Sequence, residues 1–188
     1  MSQKVLMYSA QTAAEYLFNG FIGGFTRGRA EAGPRALGNR SILADARSVT
    51  NKDRINGFIK NRMAFQPLAP LCLDEDFDKY FERLSCDISL DYMLFAVKCK
   101  PLAEQTVPAI IHADQTARVQ LINKENYPHL YELLIEFKKL SGIGILINTS
   151  FNGKGEPIVN TPDQAYAAYK TLDLDFLVLD KYFITERL

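Results

Sequence analysis

At 188 residues with 47% apolar side chains, the chain is long enough for one domain with a sizeable buried core. Lys+Arg and Asp+Glu are both 22, which excludes a histone-like polycation and leaves the local distribution of charge as the informative quantity. No apolar run approaches the roughly 20 residues of a membrane span, and the opening MSQKVLMYSAQ lacks the order of a secretory signal, so a cytoplasmic setting without membrane partners is expected. Cys72, Cys86 and Cys99 are odd in number and widely spaced, which points to buried thiols in a reducing compartment rather than to disulfides or a zinc site.

In chain order, Ala13, Tyr16 and Leu17 fall at helical spacing before Gly20, predicting a helix over 10–19. FIGGFT reads as a strand. Thr50 and Asp53 resemble a capping box opening a helix over 51–60, and DEDFDKYFERL is a second short helix. YMLFAVKCK is nearly continuous in apolar residues, as expected of a strand covered on both faces; TARVQLI alternates and predicts another. ENYPHLYELLIEFKKLSG carries Leu130, Leu133, Leu134 and Phe137 on one face and stops at Gly142, after which GIGILINTS is a buried strand. Thr161, Pro162 and Gln164 form a helix start, and FLVLD is a last strand. Strands interleave with helices, without repeats or linkers, so the expected fold is an α/β (α+β) single domain over 1–188.

Three clusters carry possible chemistry. RGRAEAGPRALGNRSIL, residues 27–43, holds four arginines and three glycines, and over 27–62 nine basic residues face three acidic ones, a local charge of +6. Charge runs are commonly just a solvated face. Here Gly28, Gly33, Pro34 and Gly38 forbid a helix interior, so the stretch is read as a shaped loop whose N–H groups and guanidiniums converge on an anion. It lacks the Gly-Lys-Ser/Thr close of a Walker loop and does not fit a dinucleotide fingerprint. In NTSFNGKGEP a buried strand ends in Asn148, Thr149, Ser150 and Asn152, the place where open α/β sheets take ligands; turn chemistry accounts for Asn152 and Gly153 but not for the polar cluster before them. HADQTARVQ contributes His112, Asp114 and Arg118. His112 reads as a structural histidine before a catalytic one, whereas Arg118 on a covered sheet needs an anionic partner or a solvated cleft. No GxSxG or HExxH is present, so the clusters suit binding and stabilising phosphates during transfer.

The ordered motifs GRAEAGPRALGNRSILAD, DRINGFIKNRMAFQPLAP, TARVQ and NTSFNGKGEPIVNTP, from about Ala10 to Leu179, resemble the C-terminal domain of the O-carbamoyltransferases that decorate antibiotics and nodulation factors. NTSFNGKGEP is also similar to the Ser-x-Asn region of threonylcarbamoyl-adenylate synthases, which implies their twisted, mostly covered mixed sheet flanked by helices. The resemblance implies a transferase component that forms carbamoyl adenylate from carbamoyl phosphate and ATP with Mg2+, with no tightly bound cofactor. It hands the product to an iron-containing transfer domain, for which these residues contain no counterpart. Arg35, Lys60, Arg118 and Ser150 are implied as catalytic, with Asn148 binding substrate. Arg29, Arg40, Arg62, Gln66 and Asn152 lie in the same motifs as binding candidates, and no metal ligand is implied.

Two positions depart from the family pattern. Gln66 in FQPLAP replaces an arginine of FRPFAP, removing a charge-assisted hydrogen bond of about 1.5–3 kcal/mol, and Gln115 replaces the glycine of HVDGTARVQ. Gln66 motivates an alternative, a nucleotide- or phosphate-binding regulatory module without turnover. An RNA-binding module is the remaining alternative; the absence of an aromatic platform among the arginines argues against it.

Overall fold

Capping residues and β-branched runs divide the chain into short elements. In the computed structural model, which describes residues 3–85 and 88–186, the order begins β1 (Lys4–Met7), α1 (Ala10–Phe18), β2 (Gly23–Thr26), β3 (Arg40–Asp45) and α2 (Val49–Arg54). A π-helical turn over Ile55–Ile59 extends α2. Then come β4 (Ala69–Leu73), α3 (Asp74–Tyr80), β5 (Val97–Lys98), α4 (Pro101–Thr106), β6 (Thr116–Ala117) and β7 (Gln120–Ile122). The last third holds α5 (Pro128–Ser141), β8 (Ile145–Ser150), α6 (Pro162–Thr171), β9 (Phe176–Leu179) and β10 (Tyr182–Thr185).

A mixed eight-stranded sheet has the order β1-β10-β9-β2-β3-β8-β4-β7. In it β2 runs parallel to β9 and β4 parallel to β7, and the other neighbours are antiparallel. Side chains alternate across a strand, so along β3 Ile42 and Ala44 join Ile147 and Leu177 on one face, while Leu43 joins Phe25, Leu146 and Phe176 on the other. α1 and α5 close the second face through Leu17, Leu134 and Phe137. The π turn, α3, α4 and α6 close the first through Ile59, Phe77, Ala103 and Ala165. The fold is a mixed α/β sheet flanked by helices on both sides, as the interleaved pattern predicts.

Local signals explain several boundaries. Ser9 accepts from the N–H of Thr12 to start α1, Thr161 and Gln164 make the predicted capping box with Pro162 at the first position of α6, and α5 stops at Gly142, φ 77°. Elsewhere the structure corrects the reading. The expected capping box at Thr50 is absent: α2 starts two residues earlier, at Val49, with Ser48 as N-cap, which makes no side-chain capping bond. The expected strand at 92–100 shrinks to Val97–Lys98, paired only with β6, because Met93 at φ 53° turns the chain and leaves Tyr92, Leu94 and Phe95 exposed. TARVQLI is broken into β6 and β7, leaving Arg118 and Val119 between two sheets. The fully buried β3 and β4 escaped the reading, β3 because charged residues stand at both its ends. Cys72 and Cys99 are buried free thiols; Cys86 lies outside the described residues.

Candidate phosphate-binding site

β2 and β3 are antiparallel neighbours, with Thr26 opposite Arg40, so residues 27–39 must form a closed loop over the sheet end. Two glycines make its path possible. Gly33 and Gly38 have φ of 128° and 108°, and a Cβ at Gly38 would stand 2.2 Å from Cδ1 of Leu130. The N–H groups of Leu37 and Asn39 donate to Glu31 Oε1 at 2.6 and 2.7 Å, and that of Arg40 at 3.3 Å. The backbone nest expected to receive a ligand anion is thus filled by the loop's own carboxylate. The guanidiniums remain for a ligand.

Arg40 is not one of them. It is buried, and its guanidinium donates to the carbonyls of Arg27 (3.1 Å), Gly28 (3.0 Å), Asn39 (2.8 Å) and Asn160 (3.1 Å). It clamps the loop shut and ties it to the segment before α6. Two side-chain amides grip the far side of the loop: Asn148 of β8 donates to the carbonyl of Ala36 at 2.9 Å, and Gln120 of β7 to that of Leu37 at 2.9 Å. Asn148 also donates to Gln120 Oε1 at 3.2 Å. Because carbonyls only accept, both amides are pinned in orientation, and Asn148 Oδ1 is left buried without a partner.

Held this way, the loop presents Arg35 to a cleft of about 120 Å³, lined also by Arg62, Arg118, Asn148, Thr149, Ser150 and the apolar Met93 and Leu68. Among the described residues these three arginines form no ion pair, whereas Arg47, Arg54 and Arg83 each meet an aspartate. Arg118 Nε is buried and unpaired. Burial, and then the nearby Arg35 charge, push Arg118 below the usual arginine range; burial alone does the same to Arg62, which donates to Asn56 Oδ1 at 2.8 Å. Repelling, desolvated cations without counter-charges among the described residues make this cleft the candidate anion site.

Lys60 enters from below. It caps the π turn, and Asn61 at φ 42° reverses the chain so that Lys60 and Arg62 both turn inward. Its buried ammonium donates to the Ser150 carbonyl, to the Asn152 carbonyl at 2.8 Å and to Asn152 Oδ1 at 2.7 Å, with Ser150 Oγ at 3.3 Å. Ser150 Oγ in turn donates to Asn152 Oδ1 at 2.6 Å. Burial first and Arg62 second lower the Lys60 pKa to about 7, against an opposing effect of Glu156.

The structure therefore gathers Arg35, Arg62, Arg118, Asn148 and Ser150 around one cleft, with Lys60 and Asn152 directly behind Ser150. Arg29 is exposed on the outside of the loop, where its carbonyl accepts from Asn39. Gln66 is half-buried beside cleft residues Pro67 and Leu68 and offers its carbonyl to Asn56. His112 stands outside the lining: its Nδ1 meets Thr116 Oγ1 at 3.1 Å, and that hydroxyl donates to Asp114 at 2.7 Å, closing the turn that carries Arg118. Burial lowers the His112 pKa, with Arg118 and Lys52 adding to the effect and Asp114 opposing it. Sequence reasoning missed Glu31, Gln120 and Met93. Glu31 was signalled as the lone acid among the loop arginines and Gln120 by its place in TARVQ, but an apolar run gave no sign of Met93.

No helix among the described residues is long and apolar enough to cross a membrane. The family model described as Carbamoyltransferase C-terminus matches residues 14–186. Nodulation protein NolO of Bradyrhizobium diazoefficiens is 42% identical over 178 residues, 95% of this chain and 32% of its own length. Nodulation protein U of Rhizobium tropici is 44% identical over 143 residues, 76% of this chain and 24% of its own. This chain thus spans about a third or less of these relatives. Among solved structures, full-length HypF in its phosphate- and nucleotide-bound form superposes with a TM-score of 0.70 at 20% identity, covering 92% of this chain and 25% of that one. Sua5 of P. abyssi complexed with L-threonine gives 0.65 at 14%, covering 92% and 46%. By family model and by identity alike, the chain belongs to the carbamoyltransferase C-terminus family.

Proposed function

We propose that the chain is the activating part of a carbamoyltransferase, which makes carbamoyl adenylate from carbamoyl phosphate and Mg2+–ATP. The single observation that carries this reading is the meeting of Arg35, Arg62 and Arg118, none with a counter-charge among the described residues, in one cleft at the end of β8. Water releases carbamate and inorganic phosphate from carbamoyl phosphate. A carbamate oxygen then bonds the α-phosphorus of ATP as the bond to the bridging oxygen of pyrophosphate breaks. Both substrates are polyanions whose repulsion opposes this approach, and three guanidiniums offset it. The chain's own contribution is to position the phosphates and to stabilise charge as it shifts to the leaving pyrophosphate. Ser150, held by Lys60 and Asn152, stands at the cleft as a hydroxyl donor or acceptor.

The product would pass to a separate transfer domain or chain that carries an iron site and the acceptor hydroxyl. Mixing this chain with ATP, Mg2+, carbamoyl phosphate and that transfer part should release pyrophosphate only when carbamoyl phosphate is present. No pyrophosphate under these conditions rejects the reading. Gln66 favours a second reading, nucleotide binding without turnover; it would give heat of nucleotide binding in calorimetry but no pyrophosphate, and Gln66→Arg would then tighten binding.

A further inference from the structure

Among the described residues, the backbone of residues 31–35, the strap that carries Arg35, makes no hydrogen bond. Pro34 has no N–H to give, and Ala32, Gly33, Pro34 and Arg35 are all exposed. The segments on either side are held instead. Before the strap, Asn39 Nδ2 and the Arg40 guanidinium donate to the carbonyls of Arg29 and Gly28, each at 3.0 Å. After it, Asn148 and Gln120 donate to the carbonyls of Ala36 and Leu37, and the N–H of Gly38 donates to Ser41 Oγ at 3.0 Å. Arg35 thus hangs between two fixed segments on a stretch with no backbone anchor of its own.

Glu31 supplies that anchor. Its Oε1 accepts the N–H groups of Leu37 and Asn39 at 2.6 and 2.7 Å, with that of Arg40 at 3.3 Å, so the first residue of the strap is tied to the backbone just past its last. Arg27, Arg29, Arg35 and Arg40 all lie near it in sequence, yet among the described residues Glu31 makes no salt bridge with any of them. Three convergent N–H groups are a strong site for a carboxylate. By filling it, Glu31 closes the strap and leaves the Arg35 charge uncompensated.

We infer that Glu31 is the positioning residue for Arg35, an internal anion that folds the strap onto its own N–H groups and so holds the Arg35 guanidinium in the cleft without pairing with it. It acts on a ligand only through Arg35. This rests on the reading of the cleft as an anion site.

Calorimetric titration of the 188-residue chain with pyrophosphate separates the two. Arg35→Ala should lose about tenfold or more in affinity, the value of one charge-assisted hydrogen bond. Glu31→Ala should lose nearly as much, although deleting a negative charge beside cations would by itself tighten an anion. The double variant should bind no worse than Arg35→Ala alone, because the second change acts through a group already removed. Glu31→Gln, whose amide oxygen still accepts N–H groups, should lie between wild type and Glu31→Ala. Glu31→Ala that binds as tightly as wild type or tighter, or a double variant that loses the product of the two single losses, overturns the inference and leaves the anion cleft standing. If Glu31→Ala does not fold, the same cycle run with Glu31→Gln decides on the same terms. Wild-type chain that does not bind pyrophosphate overturns both.

Discussion

At the scale of single residues, Arg118 and Arg35 line one cleft and repel each other, with no ion pair to either among the described residues, an arrangement that costs stability and favours an anion. Arg118→Ala should therefore leave the melting temperature unchanged or slightly raised while reducing pyrophosphate affinity by about tenfold or more, the cost of a lost charge-assisted hydrogen bond. A matching fall in melting temperature would make Arg118 a structural residue. Lys60 gives a test with a definite sign. Its proton is held to about pH 10.5 in the unfolded chain but released near 7 in the fold. Between those limits the unfolded state binds more protons, so this group makes stability rise with pH. Over the same range anion affinity should fall, because a cation behind Ser150 is lost. Lys60→Met should remove both trends, read by thermal melts and phosphate titrations from pH 6 to 10, the window set by those two values. Gln115 is held at φ 61°, where a glycine is unstrained. Gln115→Gly should raise stability by up to about 1 kcal/mol, a rise in melting temperature of roughly 2–4 °C, and an unchanged melt would show that the His112–Thr116 turn carries no strain.

At the scale of elements, the glycine loop and the end of β8 were legible in the sequence because their chemistry is local. Helix caps at Thr161 and Gly142, and the polar end of a buried strand, depend on residues close along the chain. What escaped depends on partners far away. β3 looked like the tail of a charged loop because nothing nearby shows that Ser41 pairs with Ser150 across the sheet. YMLFAVKCK looked like a buried strand because periodicity cannot distinguish a run that enters the sheet from one that lines a cleft mouth. The nest of N–H groups was anticipated, but its occupant Glu31 was not, since the loop's closure decides which anion arrives first. Closure can be tested at two glycines of the loop. Gly38→Ala meets both positive φ and Leu130, and should cost about 2 kcal/mol or more. Gly28→Ala has open space and only the backbone strain of φ 54°, about 1–2 kcal/mol. Denaturant melts showing equal losses would contradict the packing of the loop on α5.

At the scale of the whole molecule, the strand order brings three distant segments together. β8 lies between β3 and β4, and β7 lies beyond β4, so the Arg35 loop, the Lys60–Arg62 turn and the Arg118 break all approach the end of one strand. The curated relatives named above are about three times as long or more, and on the proposed reading a second part is needed to use the activated product. The most direct test is carbamoyl-phosphate-dependent exchange of labelled pyrophosphate into ATP, which reports formation of the adenylate on this chain alone. Exchange that requires carbamoyl phosphate and disappears in Arg118→Ala is the expected result. Exchange that is absent, or that proceeds equally without carbamoyl phosphate, would contradict the account.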